Sequence, residues 1–181
     1  MSGLVAQLGP LGVFLLMVPE STCLPIPSEV TLISAGFGVH EGWFGFPAAG
    51  AAATAGNLVG SLIAYWAGRR GLLRKLPRGG GAVVARCERL FGRWGDGTVL
   101  VARLLPLART FVSLPAGHLR VGLGRFIVLT IAGCAIWSIA FVLVGALAGA
   151  AWRSVAGIAG QVSLAVAALV LLACARQLRS S

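Results

Sequence analysis

Hydrophobic positions in this chain come in long runs rather than on the periodic faces of soluble helices or strands. The polar and helix-breaking residues between the runs set the predicted elements. Leu4 to Val18 is apolar and ends at Pro19-Glu20; it is short of the roughly 20 residues a helix needs to cross a bilayer. Pro25 and Pro27 follow, a pair through which no helix continues. An apolar half-helix resumes from Glu29 to Val39, with Ser28 as its expected N-cap. Two short apolar arms around a Pro-rich break predict a re-entrant hairpin over 10–40. The plainer alternative is a first span running into a loop. A full span is predicted over 46–67, dense in Gly and Ala. Gly56 and Gly60 there have the spacing that lets helix backbones approach closely in lipid.

The connector over 69–96 is basic and is interrupted by Gly79-Gly80-Gly81. Its second half, Ala82 to Trp94, interleaves Val83, Val84, Leu90 and Phe91 with Arg86, Arg89 and Arg93, the pattern of an interfacial amphipathic helix. The next apolar segment, 98–119, carries Arg103, Pro106, Arg109 and Pro115, so it is predicted as a second re-entrant hairpin. Clean spans are predicted over 125–150 and 155–175, followed by a basic tail at Arg176 and Arg179.

The two interrupted segments share an offset. Leu24-Pro25 and Leu105-Pro106 are 81 positions apart, as are Ala35-Gly36 and Ala116-Gly117. One crossing and one connector separate them, so the second should enter from the opposite face. This predicts an inverted repeat with two broken helices meeting near the membrane midplane; coincidental similarity is the competing explanation. Pro25, Pro27, Pro106 and Pro115 are the expected hairpin breaks. The fold class expected is an all-α polytopic membrane protein, one membrane domain over 1–181. It contains two opposed re-entrant hairpins, about three full transmembrane helices and an amphipathic connector.

Composition strengthens the membrane reading. The chain of 181 residues is 57% hydrophobic and only 11% charged, against about 25% charged in soluble domains. Its mean hydropathy is +0.90. The net charge of +10 is concentrated in the connector. Beside long apolar spans, this points to a cytoplasmic loop rather than to nucleic acid. The connector, Arg120, Arg125 and the C-terminal tail then fall on one face, expected to be cytoplasmic, and His40 and Glu41 on the other. Arg153 is the exception. The N-terminus has no basic region ahead of its apolar run and is read as mature protein rather than a signal peptide. Cys23, Cys87, Cys134 and Cys174 are widely spaced and there are two histidines, so no zinc site, disulfide framework or cofactor is expected.

The candidate chemistry lies in charges that an apolar segment should not hold. Glu20, Glu29, Arg103 and Arg109 lie in or beside such segments, where each is unfavourable by roughly 2.5–3.5 kcal/mol on insertion scales. The structural alternative is an ion pair that merely holds the hairpins together. On a continuous helix, Arg103 and Arg109 would point to different faces; a break at Pro106 lets them converge. Two guanidiniums suit a phosphate, since each planar fork meets two oxygens. A buried carboxylate can exchange a proton near neutral pH. Tyr65 and Trp66 are expected as interfacial aromatics, Asn57 and Ser61 as polar packing, and His118 as an interfacial residue.

These residues resemble the DedA family, also called SNARE-associated or VTT-domain membrane proteins, over roughly Pro10 to Phe141. The resemblance rests on Glu20, Pro27-Ser28-Glu29, Ala35-Gly36 and the run Gly60-Ser61, Tyr65, Gly68-Arg69. Its most specific part is Arg103-x-x-Pro106-x-x-Arg109-Thr110, with Ala116-Gly117, Phe126 and Trp137 beyond it. It implies two opposed re-entrant hairpins and a proton-linked lipid carrier. The family's essential acids match Glu20 and Glu29, and its essential arginines match Arg103 and Arg109. Three positions depart from the family pattern: Ser28 replaces a glycine, Ser61 an acid and Leu107 a glycine.

The expected function is therefore a proton-coupled transporter or flippase, not an enzyme. It would move undecaprenyl phosphate, the carrier lipid of the bacterial cytoplasmic membrane, or a phospholipid. Arg103 and Arg109 would bind the headgroup, and Glu20 and Glu29 would couple protons. The expected partners are an anionic lipid substrate, membrane lipids and protons, with no nucleic acid; a homo-oligomer is left open. The alternatives are a membrane-embedded lipid phosphatase and a non-transporting scaffold. No G-x-S-x-G or H-E-x-x-H motif supports an enzyme.

Overall fold

Among the described residues, the unbroken apolar runs are helical. A computed structural model describes residues 2–22, 27–72, 88–105 and 108–149, and no strand occurs among them. The helices are α1 (Ser2–Leu8), α2 (Pro10–Ser21), α3 (Ser28–His40), α4 (Phe46–Arg69), α5 (Gly97–Arg103), α6 (Ala108–Phe111), α7 (Ser113–His118) and α8 (Leu123–Ala148). A further stretch at 88–94 is helical, with Leu90 and Trp94 exposed. Pro25, Pro106, the connector over 73–87 and the expected span at 155–175 lie outside the described residues.

Among the described residues two helices, α4 with 24 residues and α8 with 26, are long and apolar enough to cross a membrane. At 1.5 Å per residue each exceeds the roughly 30 Å hydrocarbon core. α4 starts beyond Gly45 with Pro47 in its first turn and stops where Gly71 takes φ 83°, a left-handed angle that needs no Cβ. Large apolar side chains face outward along the second half of α4, at Val59, Ile63 and Trp66, and along α8, at Val128, Ile136, Leu143 and Leu147. Such a belt is unfavourable in water and matches lipid.

The packing is reciprocal. α2 lies on α4 and α5 on α8, while α3 crosses to α8 and α7 crosses to α4; α4 and α8 also touch. At the two crossings the backbones meet directly. A Cβ on Gly36 would overlap the backbone of Val142, Gly145 and Ala146, and one on Gly145 would strike the Ile33 carbonyl. A Cβ on Gly117 would overlap the backbone of Tyr65 and Arg69, and one on Gly68 would strike the Leu114 carbonyl. Ile33 and Gly36 stand 81 positions before Leu114 and Gly117. Tyr65, Gly68 and Arg69 stand 77 before Val142, Gly145 and Ala146. The Ala-Gly offset read from the sequence thus corresponds to one contact made twice, each time by a short helix on the long helix of the other half.

Three local expectations are corrected. The first apolar run does not end at Pro19-Glu20: it divides at Gly9, and α2 continues through Pro19 to Ser21. Close seating on α4 holds that last turn, since Gly60 meets the Val18 carbonyl and Ser21, and this outweighs the backbone bond Pro19 removes. Ser28 does not cap α3; Pro27 occupies that position and makes no side-chain capping bond. Pro115 is not itself a break but lies in the first turn of α7, just after the interruption at Val112. A proline removes only a bond to the preceding turn, so the discontinuity appears upstream of it.

Candidate functional site

Between the two apolar cores, one around Met17, Leu32, Ala53 and Val142 and the other around Tyr65, Val99 and Phe126, lies a polar crevice. The last turn of α2 brings Glu20 and Ser21 to it, and α4 brings Asn57. The end of α5 contributes Arg103, α6 contributes Arg109 and Thr110, and α8 contributes Cys134 and Trp137. The space between them is too narrow for a water molecule. Glu20 and Arg103 are each 3% exposed and Arg109 is 5% exposed, so these ionisable groups sit as deep as core leucines.

The two arginines are held differently. Arg109 donates through Nη2 to Glu20 Oε1, as a buried ion pair, and to Ser28 Oγ. Its guanidinium lies 4.8 Å over the Trp137 ring, a cation–π stack. Arg103 turns the other way. Nη1 donates to the Arg109 carbonyl at 3.2 Å, and Nη2 to Ser113 Oγ at 2.7 Å and, more weakly, to Thr130 Oγ1 at 3.5 Å. Arg103 therefore ties the end of α5 to α6, to the start of α7 and to α8, through bonds to neutral oxygens. Its Nε–H has no acceptor among the described residues, an arrangement unfavourable by about 1–3 kcal/mol for a buried donor.

The carboxylate side has its own support. The Ser21 hydroxyl lies 2.5 Å from Asn57 Oδ1 and 3.5 Å from Glu20 Oε2; its single proton belongs to the shorter contact. The Ser61 hydroxyl donates back to the Asn57 carbonyl at 2.5 Å. Glu29, one residue into α3, is half-buried beside the crevice, near enough for its charge to act on Glu20. Among the described residues, no group of three or more His, Cys, Asp or Glu side chains gathers as a metal site would require.

The structure thus brings Glu20, Arg103 and Arg109 together, keeps Glu29 at the flank, and places Pro27 between the arms of the first broken segment. Sequence reasoning missed Ser21, Ser113 and Thr130. It gave Ser28 a capping role, took Asn57 as polar packing, gave Cys134 no role, and noted Trp137 only within the resemblance. A signal was there: Thr130, Gly133 and Cys134 follow helical spacing along α8 as a small or polar stripe, with Trp137 on the same line one turn on. Tyr65 is a correction. It is not an interfacial aromatic but fully buried, donating to the Val121 carbonyl at 2.6 Å and packed on Phe126. Trp66 beside it is exposed.

Residues 26–147 match the VTT domain. The chain is 35% identical over 175 residues to a Lactococcus lactis subsp. cremoris protein named alkaline phosphatase-like protein, covering 91% of this chain and 82% of the relative. It is 36% identical over 141 residues to undecaprenyl phosphate transporter A of Bacillus subtilis, covering 75% and 71%. It is 34% identical over 149 residues to an uncharacterized membrane protein of Mycobacterium tuberculosis, covering 75% and 68%. No solved structure matches. Two membrane-length helices, the lipid-suited exterior and these matches agree on a membrane location, and the chain belongs to the VTT-domain, or DedA, family.

Proposed function

We propose that this protein moves a phosphate-bearing lipid across the bacterial cytoplasmic membrane together with protons, with undecaprenyl phosphate as the foremost substrate and a phospholipid as the next. The observation that carries this reading is the closed crevice. Two arginines and a carboxylate are buried where the two halves meet, among apolar segments. A purely structural ion pair would need one arginine, and buried pairs stabilise little compared with apolar packing. The name of the Bacillus subtilis relative supports the substrate class.

The chemistry follows from competition for Arg109. Glu20 and a phosphate are both anions, and the crevice is too tight to hold the lipid headgroup while Glu20 is paired. Protonation removes the Glu20 charge and frees the guanidinium fork to take phosphate oxygens. Loss of that proton on the other side returns the carboxylate to Arg109 and expels the phosphate. Proton and anion then occupy the site together and travel the same way. Glu29 relays the proton at the flank, and Arg103 fixes the Arg109 backbone while adding positive charge. In this reading the broken segments α2–α3 and α5–α7 are opposed re-entrant hairpins, and α4 and α8 cross the membrane with a third span at 155–175. The connector and C-terminus face the cytoplasm. Rocking of the hairpins against the long helices opens the site to each face in turn.

The test is lipid flipping in proteoliposomes that contain undecaprenyl phosphate, with and without a pH gradient. Arg103→Ala and Arg109→Ala are expected to abolish flipping while still inserting, and Glu20→Gln to remove its dependence on the gradient. Normal flipping by both arginine variants would end this proposal. The name of the Lactococcus relative favours a second reading, a phosphatase. Release of inorganic phosphate from undecaprenyl phosphate by the purified protein would establish it instead.

A further inference from the structure

Among the described residues, three buried side-chain polar atoms have no partner: Arg103 Nε, Trp137 Nε1 and Ser138 Oγ. The serine hydroxyl can rotate onto a carbonyl of its own helix. The other two N–H groups cannot, because each lies fixed in the plane of its side chain. Both belong to residues that line the crevice. An indole nitrogen only donates, and buried donors are normally satisfied, so two unmet donors in one crevice call for a ligand rich in acceptors. The face of the same indole ring is already occupied by the Arg109 guanidinium at 4.8 Å, which also sets where the ring edge lies. The three donor residues come from α5, α6 and α8, so they approach from different directions. That suits the tetrahedral oxygens of a phosphate better than a flat carboxylate.

We infer that Trp137 is a binding residue for the phosphate monoester: its Nε1–H, with the Nε–H of Arg103, donates to phosphate oxygens that the Arg109 fork does not take. The inference rests on the reading of the crevice as a phosphate site. It gives Trp137 two separate jobs, stacking through the ring face and donating through the ring edge. It also makes Trp137 a specificity residue, since a headgroup without an oxygen at that edge leaves the donor unmet.

The two jobs can be separated by removing only the N–H. Trp137→Phe keeps a stacked ring, and 3-benzothienylalanine incorporated at position 137 keeps the full bicycle with sulfur in place of the N–H. The full-length protein is reconstituted with undecaprenyl phosphate, half-saturation and maximal flipping rate are measured, and thermal unfolding reports folding. Half-saturation is expected to rise about tenfold or more in both variants, as for a lost hydrogen bond to a charged acceptor, with maximal rate and unfolding temperature close to the parent. Inorganic phosphate binding is measured in parallel. A weakening for the lipid alone assigns the donor to a lipid headgroup, a weakening for both assigns it to the phosphate group itself, and either supports the inference. Parental half-saturation in the folded benzothienyl variant, or a fall in maximal rate alone, overturns it. A parent protein that binds and moves neither ligand would sink the transport reading itself, a result distinct from variants that match an active parent.

Discussion

In the first half of the molecule α3 presents Gly36 to α8; in the second, α7 presents Gly117 to α4. The contacts match position for position, yet the polar residues do not. The first half supplies Glu20, Ser21, Ser28 and Glu29, whereas Arg103, Arg109 and Ser113 all come from the second. Ser28 and Arg109, which bond each other, stand 81 positions apart, the offset of the repeat itself. The bond therefore joins equivalent positions of the two halves. Packing has been kept in duplicate because both crossings need the same closeness. Charge has been divided because a pair of opposite ions can share a buried site, whereas four equal charges could not.

The most severe way to break this comparison is to part the crossings. Gly36→Leu and Gly117→Leu each drive a side chain into backbone, which cannot yield as a flexible side-chain end can. The loss should exceed the roughly 1–3 kcal/mol of ordinary overpacking, and little monodisperse protein should be recovered from detergent extracts. Equal severity in the two variants is the sharper expectation, and a tolerant site on either side would contradict the reciprocity.

Removing one member of the divided charge comes next. Arg109→Ala strands Glu20, a loss of about 3–5 kcal/mol for a buried pair, read as a lowered unfolding temperature. The double variant Glu20→Gln with Arg109→Gln should recover much of that stability without recovering flipping. Failure to recover would mean the two residues do not act as a pair.

Tyr65 sharpens the comparison from the packing side. Tyr65→Phe leaves the Val121 carbonyl without its hydroxyl donor and should lower stability by about 1 kcal/mol; an interfacial tyrosine would give almost no change. The smallest effect is expected outside the repeat. Asp96 bonds Arg125 at 3.0 Å, but the arginine side chain is 79% exposed. Asp96→Ala should therefore shift stability by less than about 1 kcal/mol and leave flipping intact, as checked in the same two assays.

Much of this was legible in the amino-acid sequence, for physical reasons. Run length against bilayer thickness identified α4 and α8, and Pro27 marked the start of α3, whereas Pro19 and Pro115 proved to lie inside helices. Ionisable residues at apolar positions singled out Glu20, Arg103 and Arg109, because nothing but function or pairing keeps a charge there. What the sequence could not rank was how neighbours compete. Ser28 had a local use as a cap and a distant one at Arg109, and proximity in space chose the second. Pro19 forbids a backbone bond, yet the seat on α4 carries the helix past it.

The sequence by itself determined where the two long helices lie, that the exterior suits lipid, and which charges are out of place. Those follow from local propensity and from transfer of side chains between water and hydrocarbon, which need no partner. Only the tertiary structure decided that each short helix crosses to the long helix of the other half. It alone decided that Arg109 pairs with Glu20 while Arg103 binds neutral oxygens, and that Trp137 closes the crevice with an N–H unmet. Those outcomes depend on distances between residues remote in the chain, which no spacing along it encodes.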